Sequence, residues 1–273
     1  MKKRARTFVP MSTVAVAFGM AASAHAGAAF EYAFPASWNG TGTTVTDQSS
    51  AGNNGVTVGT LALATAVPPG AAAGTQSIDT SAGAVLTSAN SLLSNSAIAA
   101  AGGFTEHLRF NWNGTDSTSF GHTQKLIDYA GTESLQLVTT AGSASLQMTF
   151  GNDAGVESTP VSTTILPNTW YDATLTFGNI SAAGGDVNGT ANLYLNGLLV
   201  SSGAATKGTY GDSLSRPIGV GQLGANFGYL VGFKGDIYDP SVQTGVSPVP
   251  EPSTAALLLG GVAMLGVRRR RKA

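Results

Sequence analysis

The 273-residue chain contains no cysteine. That one absence removes disulfides, thiolate metal sites and cysteine nucleophiles together, so the fold rests on its core alone. Charge is sparse too, at 11% of residues, and His25, His107 and His122 are the only three histidines. No central stretch keeps a long 3.6-residue apolar period, which argues against a helical bundle. Basic residues are scarce wherever the chain is not terminal. Of fourteen, Lys2, Lys3, Arg4 and Arg6 open the chain, and Arg268 to Arg271 with Lys272 close it. Arg109, Lys125, Lys207, Arg216 and Lys234 remain between them, against fifteen acids from Glu31 to Glu251. The central chain therefore carries about −10, hidden behind a whole-chain value of -1. An acidic surface of that size repels phosphate backbones, so nucleic acid is an unsuitable partner.

The two ends read as addresses. "MKKRAR" supplies a positive opening, "TVAVAFGMAASA" an apolar run, and Ala24-His25-Ala26 the small residues of a cleavage site. This is the three-part pattern of a secretory signal peptide, with a helical apolar segment and a mature start near Gly27. At the other end, Pro250-Glu251-Pro252 precedes the apolar run Ala255 to Val267, then the arginine cluster. Thirteen residues make a helix of roughly 20 Å. A comfortable span takes about 20 residues across about 30 Å. The run is thus a short transmembrane segment, and the basic tail would hold it in place during export.

Val249, Pro250, Glu251, Pro252, Ser253, the Leu257 to Gly260 run and the arginines resemble the PEP-CTERM sorting signal of Gram-negative bacteria. That resemblance implies recognition by an exosortase-type membrane protease. It also implies passage through the inner membrane to the cell surface or extracellular matrix. A retained tail anchor is the alternative. The expected organisation is a signal peptide at 1–26, one domain at 27–246 and the sorting signal at 247–273.

Between the ends, short β-rich runs alternate with turn residues: "FTEHLRFNW", "SLQLVTT", "SLQMTF", "WYDATLTF" and "ANLYLNGLLVSS". The pattern predicts an all-β antiparallel sandwich. Asn196-Gly197 suits a two-residue type I′ hairpin, pairing the strands on either side. In "WYDATLTF", Tyr171, Ala173, Leu175 and Phe177 alternate with Trp170, Asp172, Thr174 and Thr176, one face buried and one wetter. "NSLLSNSAIAAAG" is the one expected mature helix. Thr57 to Thr75 reads as a surface excursion or weak edge strand, and Ile180 to Gly189 as a flexible loop.

The order of "DQSSAGNNG", "GTQSID", "GGFTEHLRFNW", "TWYDATLTF", "LYLNGLLV" and "GFKGDIYDP" resembles the laminin-G-like, concanavalin-A-like jelly roll. The resemblance implies two packed antiparallel sheets of about a dozen strands, with the terminal strands side by side, and a role in glycan or protein binding. It also implies a structural calcium near the first and last fragments. Asp236 is the first candidate ligand, with Asp47 and Asp79 after it; turn formation is the competing role for all three.

Three motifs invite catalytic readings. "GDSLS" at Gly211 to Ser215 looks like the nucleophile block of the GDSL esterases, but no histidine follows Ser213 to act as base. "GVGQLG" at Gly219 to Gly224 matches a dinucleotide fingerprint without the helix that fingerprint must open. Glycosidases need two carboxylates flanking the scissile bond. Glu106, Glu133 and Glu157 stand far apart in sequence, and the three-acid strand of laminarinase-like jelly rolls is missing.

Glycan binding wants an aromatic face with amides or acids beside it. Trp38, Trp112, Tyr210, Phe227 and Tyr229 are the candidate rings, with Asn113, Asp116 and Asn226 nearby in sequence, while Trp170 reads as core. The expectation is a non-enzymatic surface or matrix module that binds exopolysaccharide, with a purely structural self-associating protein as the alternative and a hydrolase third.

Overall fold

The computed structural model describes residues 27–35, 38, 44–64, 66–87, 92–117, 122–129, 133–140, 142–151, 157–209, 217–221 and 232–247. Seventeen strands and one short helix occupy them. The chain opens with β1 (Ala28–Glu31), β2 (Phe34–Pro35), β3 (Thr44–Val45), β4 (Gly55–Gly59), β5 (Ala62–Ala64), β6 (Thr75–Asp79) and β7 (Gly83–Thr87). Helix α1 (Asn95–Ala101) then leads into β8 (Phe104–Trp112), β9 (Thr123–Tyr129), β10 (Glu133–Thr140), β11 (Ser143–Gly151) and β12 (Glu157–Ile165). The last five are β13 (Trp170–Ala183), β14 (Asp186–Leu195), β15 (Leu198–Lys207), β16 (Ile218–Val220) and β17 (Gly235–Thr244).

They form two antiparallel sheets, as the sequence pattern predicts, with more and shorter strands than a dozen. One sheet runs β15-β14-β13-β8-β17-β6-β2, with β1 on β17 and β5 on β6; the other runs β12-β11-β10-β9-β16-β7-β4-β3. The first and last strands pair directly, Glu31 facing Ser241 and Ala28 facing Gln243.

Alternation along each strand decides what faces inward. On β8, Phe104, Leu108, Phe110 and Trp112 are fully buried, while His107, Arg109 and Asn111 between them are half-buried. On β13 the inward set is Ala173, Leu175 and Phe177. Rings from the two sheets meet in the core, with Phe150 of one 4.9 Å from Phe177 of the other. Each such side chain contributes about 1.5–3 kcal/mol on burial.

Local signals end the elements where the sequence places them. Ser94 caps α1 by accepting from Ala97 N, and left-handed Gly102 closes it with bonds to Ala99 and Ile98 carbonyls. Asn196 and Gly197 take φ of 53° and 76°, and Leu195 faces Leu198 across them. The segment Ile180 to Gly189 is not a loop. β13 and β14 continue through it to a two-residue turn at Gly184-Gly185, both at positive φ. Its small, polar composition reflects a ribbon reaching past the sandwich core, where few side chains are needed for packing.

Candidate functional site on the outer face of the nine-stranded sheet

Because β6, β17, β8 and β13 are neighbours in register, their outward residues form rows across the sheet. Asp79 faces Asp236, Asp236 faces Asn111, and Asn111 faces Trp170. One step along, Tyr238 faces Arg109, which faces Asp172. A third row carries Ser241, His107 and Thr174. Period-2 geometry puts all of these on the face opposite the core. Gly235 sets the register here: a Cβ on it would lie 2.1 Å from the carbonyl oxygen of Asn111, so β17 approaches β8 this closely only with glycine.

The middle row is internally paired. Asp172 Oδ1 lies 3.1 Å from His107 Nε2, and its Oδ2 accepts from Arg109 Nε at 3.2 Å. The bond to His107, assisted by its charge and that of Arg109, outweighs burial and holds the Asp172 carboxyl below its usual range. The Arg109 guanidinium also sits 5.6 Å from the centre of the Tyr238 ring. Tyr238 anchors the segment between β5 and β6, its hydroxyl accepting from Ala72 N at 3.0 Å and sharing a 2.7 Å bond with Thr75. That segment is the predicted surface excursion. It lies over the sheet and walls an open recess of about 240 Å³ with Pro68 and Pro69 on one side. Arg109, Trp170, Tyr171, Asp172 and Asn196 complete the lining. The hairpin turn is tied to it: Asp172 N donates to Asn196 Oδ1, and Asn196 N to the Asp172 carbonyl.

The first row is less well satisfied. Asp79 Oδ1 takes Ser81 N at 2.8 Å. Asn111 Oδ1 is buried with no partner. Burial, then the neighbouring Asp79 charge, pushes the Asp236 carboxyl up to about 6. Two like charges directly opposite on neighbouring strands are unfavourable for folding.

Several expected site residues take other roles. Trp112 is fully buried and donates its Nε1 to the Thr115 carbonyl at 3.0 Å, so its ring offers no face to a sugar. Its parity with Leu108 and Phe110 puts it in the core. Trp38 is half-buried against Phe34, ring centres 5.6 Å apart, and does not line the recess. Trp170, read as core, lies instead half-buried on the outer face, where it lines the recess. The signal that finds it is its alternation with Tyr171, shared with Asp172 and Thr174. Asn113 caps a local turn by accepting from Thr115 N, and Asp116 pairs with His122 at 3.2 Å. Tyr210, Phe227, Tyr229, Asn226, the "GDSLS" block, Ala24, Ala26, Val249, Pro250, Glu251 and Pro252 lie outside the described residues.

Of the calcium candidates, Asp47 does not fit. Its two oxygens already accept from Glu31 N, Ser49 N, Ser49 Oγ and Asn53 N, the work of a turn former. Asp79 and Asp236 do come together, but calcium takes six to eight oxygens and a row on a sheet supplies few of them. Among the described residues no group of three or more His, Asp or Glu could hold a metal.

Glu106 and Glu133, far apart in sequence, also come together. They meet between the sheets, each 1% exposed, and burial followed by the Glu133 charge drives the Glu106 carboxyl well above its ordinary range. Their proximity is not a glycosidase arrangement, because no sugar reaches them. On the other side of β9 and β10, Lys125 Nζ donates to Ser134 at 2.7 Å and Gln136 at 2.6 Å, and all three are buried.

Comparison with known proteins adds to this geometry. Residues 248–272 match the PEP-CTERM protein-sorting motif. The chain carries an export and sorting signal. A search of curated proteins by sequence returns no match. Among solved structures, the chain is similar to a "receptor binding domain" at 12% identity and a TM-score of 0.50, covering 81% of this chain and 48% of that one. A mutant of HCR D/C VPI 5995 matches at 12% identity and 0.50, covering 82% and 50%. The receptor-binding domain of botulinum neurotoxin type G matches at 12% and 0.49, covering 82% and 49%. The chain spans about half the length of these proteins. At such identity the likeness concerns the β-sandwich fold. Among the described residues no helix is long and apolar enough to cross a membrane.

Proposed function

We propose that this protein is a surface-delivered carbohydrate-binding module, and that the outer face of the nine-stranded sheet is where it binds. The observation that carries this reading is the recess beside Trp170. A half-buried indole lines it with an ion-paired Arg109–Asp172 couple and the Asn196 amide, whose Oδ1 is held by Asp172 N. Sugars are held by that combination, an aromatic plane for the C–H face and fixed polar groups for the hydroxyls. The ion pairs keep the polar groups in place before the ligand arrives, which lowers the cost of ordering them.

The sorting motif supports delivery through an exosortase-type protease to the cell surface or extracellular matrix. There a polymer of sugars, such as the producing cell's own exopolysaccharide, is the ligand class at hand, and adhesion or biofilm cohesion the role. The reading is non-enzymatic, and burial of the Glu106–Glu133 pair in the core, out of reach of a sugar, supports it. Calorimetric titration of the purified protein with that exopolysaccharide tests it, run with calcium and then with chelator. Saturable heat, abolished by Trp170→Ala in a protein that still melts cooperatively, is the expected result. The same heat from the variant would move binding away from this face.

One observation favours a second reading, self-association. Leu166, Leu198, Leu199 and Val200 are 64%, 58%, 55% and 40% exposed, three of them consecutive on the first residues of β15. Sedimentation of wild type against Leu198→Ser/Leu199→Ser distinguishes the two: a structural spacer loses its assembly in the variant and shows no sugar binding in either form.

A further inference from the structure

Lys207, at the end of β15, is fully buried at 0% exposure, although it belongs to the residue type that most favours water. Its Nζ donates to Asn95 Oδ1 at 2.7 Å and lies 5.2 Å from the centre of the Tyr129 ring on the opposite sheet. Asn95 opens α1 and is buried too. Its Nδ2 donates to the Gly185 carbonyl at 2.8 Å and to the Lys207 carbonyl at 3.2 Å. The amide is therefore fixed on both sides, with its oxygen toward the amine. We propose that Lys207 and Asn95 condense in the folded protein to form an isopeptide cross-link between β15 and α1.

The geometry places the reacting atoms. A hydrogen bond of this length to a carbonyl oxygen leaves Nζ about 3.5 Å from Cγ, the outer edge of a near-attack distance. An acid–base group is at hand. Glu133 stands directly opposite Tyr129 in the β9–β10 register, on the core side and 1% exposed. Glu106 beside it keeps its proton, which leaves Glu133 as the charged member of that pair.

The step balances without a co-reactant. The Lys207 ammonium gives one proton to the Glu133 carboxylate, and the freed lone pair forms the Nζ–Cγ bond. A second Nζ proton passes to Nδ2, the Cγ–Nδ2 bond breaks, and ammonia leaves with the proton returned by Glu133. One Nζ hydrogen remains on the new amide. Condensation removes a positive charge from the core, where a charge is costly. It also closes a loop between residues 112 apart, and it ties down β15, an edge strand. In a chain without cysteine, such a link does what a disulfide does for other exported domains.

The test is the intact mass of the purified protein held at neutral pH, followed by tryptic mapping. The expected result is a loss of about 17 Da, the mass of one ammonia. Trypsin should then leave the bond after Lys207 uncut and release a peptide ending at Arg109 joined to the one that carries Lys207. Lys207→Met and Asn95→Ala, each with a cooperative melt, should keep the full mass. Glu133→Gln should slow the loss by about 100-fold; an unchanged rate overturns the proton transfer assigned to Glu133. Wild-type protein at full mass, cut normally after Lys207, overturns the cross-link, and that result needs no variant to fold. The same loss without the joined peptide, as succinimide formation at Asn196-Gly197 would give, overturns it as well.

Discussion

Two pairs of carboxyl groups, one between the sheets and one on the outer face, show how position sets the role of the same chemistry. Glu106 and Glu133 face one another across the sandwich, each 1% exposed. Asp79 and Asp236 sit side by side on β6 and β17 with their rims in water. Both pairs raise a carboxyl pKa by desolvation first and by the neighbouring charge second. In the core the pair is closed to solvent and ligands, so it bears on stability and not on binding. On the face, water screens the half-buried pair, so the same repulsion costs far less.

The comparison can be broken at several points. The largest effect is expected from Gly235→Ala, which drives a methyl group into the Asn111 carbonyl and displaces β17 from β8. A loss of about 3 kcal/mol in denaturant unfolding is expected, together with loss of binding, because the outer row depends on that register. Glu106→Gln comes next and has the opposite sign. The wild-type carboxyl pKa is raised well above the ordinary carboxylate value of 4.5, so the folded state holds a proton that the unfolded chain gives up. Stability therefore falls as pH climbs above 4.5 and levels off once the folded carboxyl ionises. The glutamine keeps a donor toward Glu133 and should stabilise the protein by about 1–2 kcal/mol at neutral pH. Chemical denaturation across pH 4 to 8 reads both the gain and the flattened profile.

Asp236→Asn should act in the same direction but by only a few tenths of a kcal/mol, since water screens a half-exposed pair. Its gain should develop between the ordinary carboxylate range and about pH 6. Equal gains from the two variants would erase the distinction between core and face. The smallest stability effect is expected from Asp172→Asn, a loss of about 0.2 kcal/mol at neutral pH. Because the Asp172 pKa is lowered, the wild-type advantage should vanish as pH falls through the carboxylate range. Binding should suffer more than stability, since Arg109 would lose its tether.

The same contrast separates what was legible in the sequence from what was not. Local rules carried well. Asn196-Gly197 made the predicted hairpin, the one expected helix formed but over only Asn95–Ala101 of the stretch that begins at Asn90, and the strand "WYDATLTF" buried Ala173, Leu175 and Phe177 of the predicted face. The sandwich and the sorting motif were legible for the same reason, since short-range patterns encode them. Residue roles that depend on partners from distant strands were not. Trp112 and Trp170 differ by parity within their own strands, and applying the alternation strictly would have put the first inside and the second outside. The meeting of Glu106 with Glu133, or of Asp79 with Asp236, depends on which strands become neighbours. No spacing along the chain states that. Asp47 was chosen for its place in a turn-rich stretch, and the turn is what occupies it.

The central claim is that Trp170, not the buried Trp112, meets the ligand. The chain has three tryptophans, hence three indole N–H signals in a nitrogen-correlated proton spectrum. Titrating the protein with fragments of that exopolysaccharide should shift the Trp170 signal progressively and leave that of Trp112 in place. A shift confined to Trp112 or Trp38, or binding heat with the Trp170 signal unmoved, would contradict the account.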